Sequence, residues 1–345
     1  MGGTLGVVTA PAPRTKRAWR AASQLLLAIV GLGLVAYLVR GADPARVTQV
    51  LWQARSWLPA VVTLEVLQLV SDFVTLRMLL GERGREVPAA TWVRSSALAY
   101  AMMILVPAGR AAGEVARAAL VAKHVGAPRA ATASAQLQSA YVFAIAAWSA
   151  VECAVVASWQ GVHSSLALLL AANTLVMLTL SAGLLAILWD ARVGRWLERV
   201  RRRLARTAGE APLDASVRRR LPWRAAALCS LSRTAQVAQY AIILRAVGGA
   251  PSVRGTLVAH GIHLVGTTLG DALPNGLGVV DGAYRTFAAE VGFRDTPARA
   301  LSIAFVAHLA QLIVATASLV VLMLARQAAP RGSAPSASEG ARNPI

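Results

Sequence analysis

The chain is 345 residues long, 56% hydrophobic, with a mean hydropathy of +0.55, which excludes an ordinary soluble domain, whose apolar share is about 45–50% even with glycine counted. Its formal charge of +19, from 35 basic and 16 acidic residues, would suit a nucleic-acid binder, but the basic clusters lie between apolar segments. Retention of positive charge in cytoplasmic loops explains that placement better, and no nucleic-acid partner is expected.

In chain order, residues 1–20 hold Pro11, Pro13 and four basic residues and read as a disordered tail. The run from Ala21 to Val39 is uncharged and long enough to cross about 30 Å of hydrocarbon. It lacks a small-residue cleavage site and reads as a retained first helix rather than a signal peptide. Full spans are expected near 21–39, 57–80, 130–158, 164–189, 223–247 and 297–325, an Arg-rich cytoplasmic loop at 190–222, and a second disordered tail at 326–345. Two apolar stretches do not read as ordinary spans. Residues 92–106 stop at Pro107, Gly109 and Gly113, and 256–273 stop at Pro274, Gly276 and Gly278. Proline removes a backbone donor and glycine weakens the helix, so both stretches suit re-entrant or broken-helix hairpins. The expected fold class is therefore all-α: a polytopic membrane bundle of six spans plus two hairpins.

Of the 35 basic residues, 26 lie in the N-terminal tail, 77–94, 107–129, 192–224 and the C-terminal tail. Placing these segments in the cytoplasm puts both termini there, in a multi-pass protein of the cell (inner) membrane. The first hairpin (92–122) then opens to the cytoplasm and the second (256–291) to the other face, within inverted repeats of about 57–158 and 223–325.

The two hairpins carry one motif. Aligning Pro107 with Pro274 aligns Gly109 with Gly276 and Glu114 with Asp281. Arg117 follows the first acid by three residues and Arg285 the second by four, spacings that put each pair on one helical face. A helix that starts after such a tip directs free N–H groups and its positive end into the membrane, where they attract an anion. An arginine adds a donor fork matched to phosphate. The alternative is that both pairs are structural ion pairs.

At these residues the chain resembles the flippase-like transmembrane region of lysylphosphatidylglycerol synthases. The resemblance rests on Leu105-Val106-Pro107-Ala108-Gly109 running into Gly113-Glu114 with Arg117, and on Leu273-Pro274-Asn275-Gly276-Leu277-Gly278 running into Asp281. It covers roughly 20–325 and implies a lipid-translocating or lipid-exporting domain. The synthase activity belongs to a separate soluble domain and is not implied. Asp281 stands where the family usually has Glu, and His308 where Arg is frequent.

Glu65, Gln68 and Asp72 form a polar stripe in 57–80, and Arg233, Gln236 and Tyr240 another in 223–247. Such groups must face protein or a cavity, and Arg233 could partner Glu65 or Asp72. His260, His263 and Asp271 lack the ligand spacing of a zinc site, and Cys153 and Cys229 lie in apolar segments. No metal, cofactor or enzymatic activity is expected. The expected function is translocation or export of an anionic or amphipathic lipid, bound by Pro107, Gly109, Gly113, Glu114, Arg117, Pro274, Gly276, Gly278, Asp281 and Arg285. Glu65, Asp72, Arg233 and His308 would line the cavity, and the two hairpin tips would meet near the bilayer midplane. The alternative is an accessory subunit or enzyme of a lipid-modifying pathway handling glycolipids, isoprenoids or hopanoids.

Overall fold

Local signals set the helix boundaries. Asp43 caps its helix by accepting from the backbone N–H of Ala45 at 3.2 Å and of Arg46 at 3.4 Å. Prolines sit in the first turns that begin at Pro44, Leu58, Ala127 and Pro297, where a missing N–H costs nothing. Gly126 (φ 87°) and Gly161 (φ 89°) bound the longest helix in conformations that disfavour any side chain.

The computed structural model describes residue 26 and residues 29–189 and 222–327. The expected tails (1–20, 326–345) and the Arg-rich loop lie almost wholly outside the described residues. Among these residues every regular element is helical. They are α1 (Ile29–Arg40), α2 (Pro44–Ala54), α3 (Leu58–Leu80), α4 (Arg83–Glu86), α5 (Ala89–Leu105), α6 (Gly109–Val125), α7 (Ala127–Gln160), α8 (Ser165–Trp189), α9 (Trp223–Ala246), α10 (Val253–Leu269), α11 (Val279–Thr286) and α12 (Pro297–Gln327).

Four helical stretches are long and apolar enough to cross a membrane: Pro44–Leu80, Ala127–Gln160, Ser165–Ile187 and Pro297–Ala325. Four of the six expected spans coincide with them. Helix α9 has the length but carries Arg224, Arg233 and Arg245, and α1 is short within the described residues. Polarity is arranged inside out. Leu168, Leu175, Leu180, Leu312 and Leu324 are exposed, whereas Glu65, Glu152, Arg233, His260 and Asp281 are buried. In water that arrangement would be costly; hydrocarbon outside and polar partners inside make it stable.

Helix α12 is the central post, packing against α2, α3, α5 and α11. Helix α7 packs on α6, α8, α9 and α10. One core, built around Tyr240, Ile243, Ile262, Tyr284 and Ile303, joins the C-terminal helices to Val50 of α2, Val61 of α3 and Leu170 of α8. A second, with Leu76, Trp92, Val121, Leu137 and Tyr141, surrounds α5 and α6. Tyr100 and Ile104 of α5 meet Val314 and Ala315 of α12, so the post touches both broken segments.

Candidate functional site

Each broken segment folds back on itself, by different means. In the first, Val106 is extended, as a residue before proline prefers, and Ala108 adopts a left-handed conformation (φ 50°) that turns the chain into α6. A Cβ at Gly109 would collide with the carbonyl oxygen of Met102, and one at Gly113 would lie 2.5 Å from that of Ala99. Both glycines therefore serve the contact between α5 and α6.

In the second segment α10 leads through Gly270 into a single tight turn, Pro274–Gly276, and then into the eight residues of α11. A Cβ at Gly270 would lie 2.9 Å from the Cα of Gly276, and one at Gly266 would lie 3.0 Å from the Cα of Val280. Asn275, at φ 52°, sends its amide to His308 Nδ1 and Gln311 Oε1 of α12, each at 2.8 Å. Gly278 lies under Leu34 of α1, which a Cβ would approach to 2.7 Å. The two tips touch through their backbones, the Ala108 N–H donating to the Asp271 carbonyl at 3.2 Å.

The aligned acids and arginines do not match in their contacts. Arg117, 4% exposed, pairs with Glu114 along the buried side of α6. Nε and Nη1 of Arg117 and Oε2 of Glu114 are buried without a partner among the described residues. Asp281 does not pair with Arg285, so of the alternative's two structural ion pairs the first alone forms. Asp281 lies at the third position of α11, where it accepts from the Gly278 N–H at 2.7 Å, and His308 Nε2 is 3.5 Å away. A carboxylate in a first turn satisfies a free donor and faces the positive end of the helix, which outweighs a partner one turn on. Arg285 is half-buried and donates to the Leu38 carbonyl at 3.3 Å, near the C-terminal end of α1. Glu114 and Arg117 thus lie along α6, Asp281 on α11 beside His308 of α12, and Arg285 against α1.

A buried polar network links α3, α5 and α9. Glu65 accepts from Tyr100 Oη at 2.7 Å and from Gln239 Nε2 at 3.0 Å, and Gln68 donates to Gln239 Oε1 at 3.1 Å. Asp72 is half-buried. Arg233 partners neither acid, correcting that expectation; it donates to Gln236 and to Tyr141 Oη. His260 contacts Glu152 and lies 3.0 Å from Gln236 Oε1, and His263 lies 3.3 Å from Gln236 Nε2. Arg110 donates to the same Tyr141 hydroxyl at 2.6 Å. Among the described residues no group of three or more His, Cys, Asp or Glu is placed to hold a metal ion.

Sequence reading missed Arg110, Tyr141 and Glu152. Glu152 carried a signal, as a lone acid inside a long apolar helix, and Arg110 carried one as the charge directly after the tip. Tyr141 carried none.

A family model described as the lysylphosphatidylglycerol synthase TM region matches residues 24–318. The chain belongs to this family. The match runs from the first helix into α12 and includes both broken segments, so this transmembrane region comprises nearly everything described here. No curated protein and no solved structure matches the chain. Chemically, the region combines backbone tips in contact, guanidinium groups at the start of α6 and carboxylates held by backbone or arginine donors.

Proposed function

We propose that the chain is a lipid translocator of the cell membrane. Six spans enclose the two broken segments as re-entrant hairpins of opposite orientation, and an anionic or amphipathic headgroup passes their junction. The 17-residue arms of α5, α6 and α10 reach about 25 Å each at 1.5 Å per residue, short of a 30 Å core. The observation that carries the reading is the backbone bond between Ala108 and Asp271. Irregular backbone at membrane depth is tolerated only where protein or water satisfies it, and here the Asp271 carbonyl of one tip accepts from the Ala108 N–H of the other, beside Arg110. Pro107, Pro274, Asn275 and His308 would shape the junction, Glu114 and Arg117 would stiffen the first hairpin, and Asp281 would hold the second. Membrane-family membership supports a lipid-related role.

The test is reconstitution in liposomes that carry a fluorescent phospholipid, followed by membrane-impermeant quenching from outside. Purified protein is expected to make the inner-leaflet probe accessible faster than empty liposomes do. Equal rates would overturn translocation. Substituting Asn275→Ala, which frees the second tip from α12, is expected to slow movement more than it lowers the unfolding temperature.

A further inference from the structure

Resting on the lipid reading, we propose that Arg110 and Arg233, gathered around Tyr141, form a seat for a phosphate-type oxyanion at the start of α6. Both guanidinium groups lie over the Tyr141 ring, their central carbons 3.9 and 4.3 Å from its centroid. Both donate to the one phenolic oxygen. The two guanidinium carbons are therefore no more than about 8 Å apart, the sum of these two distances, and like charges that close in a buried setting repel each other. Among the described residues neither forms an ion pair. Asp72, Glu114 and Asp271 act on Arg110 only through their field.

Three observations turn this crowding into a binding site. Arg233 is 5% exposed, and its Nε is buried with no partner among the described residues. Arg110 is half-buried and lies one residue after the tip, which gives the seat a way out toward Ala108 and Asp271, both exposed. Finally, α6 begins at Gly109 with no side-chain cap, so its first N–H groups and positive end lie beside Arg110. A tetrahedral oxyanion between the guanidinium forks would relieve the repulsion and use donors that a phenol cannot saturate. Tyr141 then acts as the neutral spacer that holds the cations together while the seat is empty. The shared chemistry is a phosphate group, from a lipid headgroup or from free phosphate.

The experiment uses the full chain in maltoside micelles, with unfolding temperature read by tryptophan fluorescence. The probes are phosphatidylglycerol, diacylglycerol and inorganic phosphate. Phosphatidylglycerol is expected to stabilise the protein and diacylglycerol to have no effect. Stabilisation by inorganic phosphate at comparable concentration would assign the seat to free phosphate, and its absence would assign it to a headgroup. Arg110→Gln and Arg233→Gln are each expected to raise the half-effect concentration about tenfold or more, the loss of one charged hydrogen bond. Arg254→Gln, whose guanidinium lies over Trp159, should change nothing. If the glutamine variants unfold too readily, Tyr141→Phe decides: it leaves both forks without their internal acceptor, so the same anion should raise its unfolding temperature more than it raises that of the parent. Unchanged half-effect concentrations in the glutamine variants, or no extra anion response in Tyr141→Phe, would overturn the seat. Liposome assays on the same preparations separate the two readings. Binding without lipid movement removes translocation and leaves the seat, whereas movement with binding indifferent to Arg110 and Arg233 removes the seat alone.

Discussion

The two broken segments share a motif but are built on different principles. The first is a pair of equal 17-residue arms whose contact depends on Gly109 and Gly113, with a buried ion pair, Glu114–Arg117, along the second arm. The second has one full arm and one of eight residues. The glycines at its closest backbone approaches are Gly266 on the first arm and Gly270 just past its end, and its charges are used singly, Asp281 on its own helix start and Arg285 on α1. A shared spacing of proline, glycine and acid thus accompanies both breaks, while the point at which the second helix starts decides what the charged residues do. Helix α6 starts at Gly109, so Glu114 lies beyond its first turn and pairs at i,i+3; α11 starts only at Val279, so Asp281 falls in the first turn and serves the cap.

Thermal unfolding in detergent can break this comparison. The largest expected effect is Arg117→Met, which leaves Glu114 without its partner in a buried setting and should cost about 3–5 kcal/mol. Arg285→Met should cost no more than about 1 kcal/mol, since it removes one bond to a carbonyl from a half-buried group. Equal losses would refute the asymmetry. Next is Gly109→Ala, expected to cost about 1–3 kcal/mol because the obstructing atom is a backbone carbonyl that cannot rotate away. Asp281→Ala should cost about 1 kcal/mol as a lost cap, with Asp281→Asn recovering most of it; a loss as large as that of Arg117→Met would show that Asp281 belongs to a buried ion pair after all. The smallest effect has the opposite sign. In Gly282→Ala the new Cβ meets nothing closer than Leu38 Cδ1 at 4.0 Å, and the gain in helix propensity should stabilise α11 by about 0.5–1 kcal/mol.

Much of the fold was legible in the sequence. Long apolar runs located α3, α7, α8 and α12 to within a few residues, because their burial is set by hydropathy over whole turns. The breaks at Pro107 and Pro274 were equally plain, since proline and glycine act on their own backbone. The second arm of the second segment was not legible: Gly278 and Asp281 start a new helix at Val279, which places Asp281 in a first turn, where a free backbone donor competes with Arg285. The candidate site was less legible. Glu65 and Gln68 were recognised as a polar stripe, yet their partners, Tyr100 and Gln239, come from α5 and α9.

From the sequence alone came the membrane class, the two helix breaks and the residues whose charge had to be accommodated, because hydropathy, proline and glycine act over neighbouring turns. Only the tertiary structure decided how each charge is accommodated. Arg233 reaches Tyr141 across 92 positions, His260 reaches Glu152 across 108, and the Ala108 backbone reaches Asp271 on the other hairpin. A buried polar group takes the donor or acceptor that packing brings within about 3 Å. That neighbour is chosen by how the helices dock, which no local spacing records.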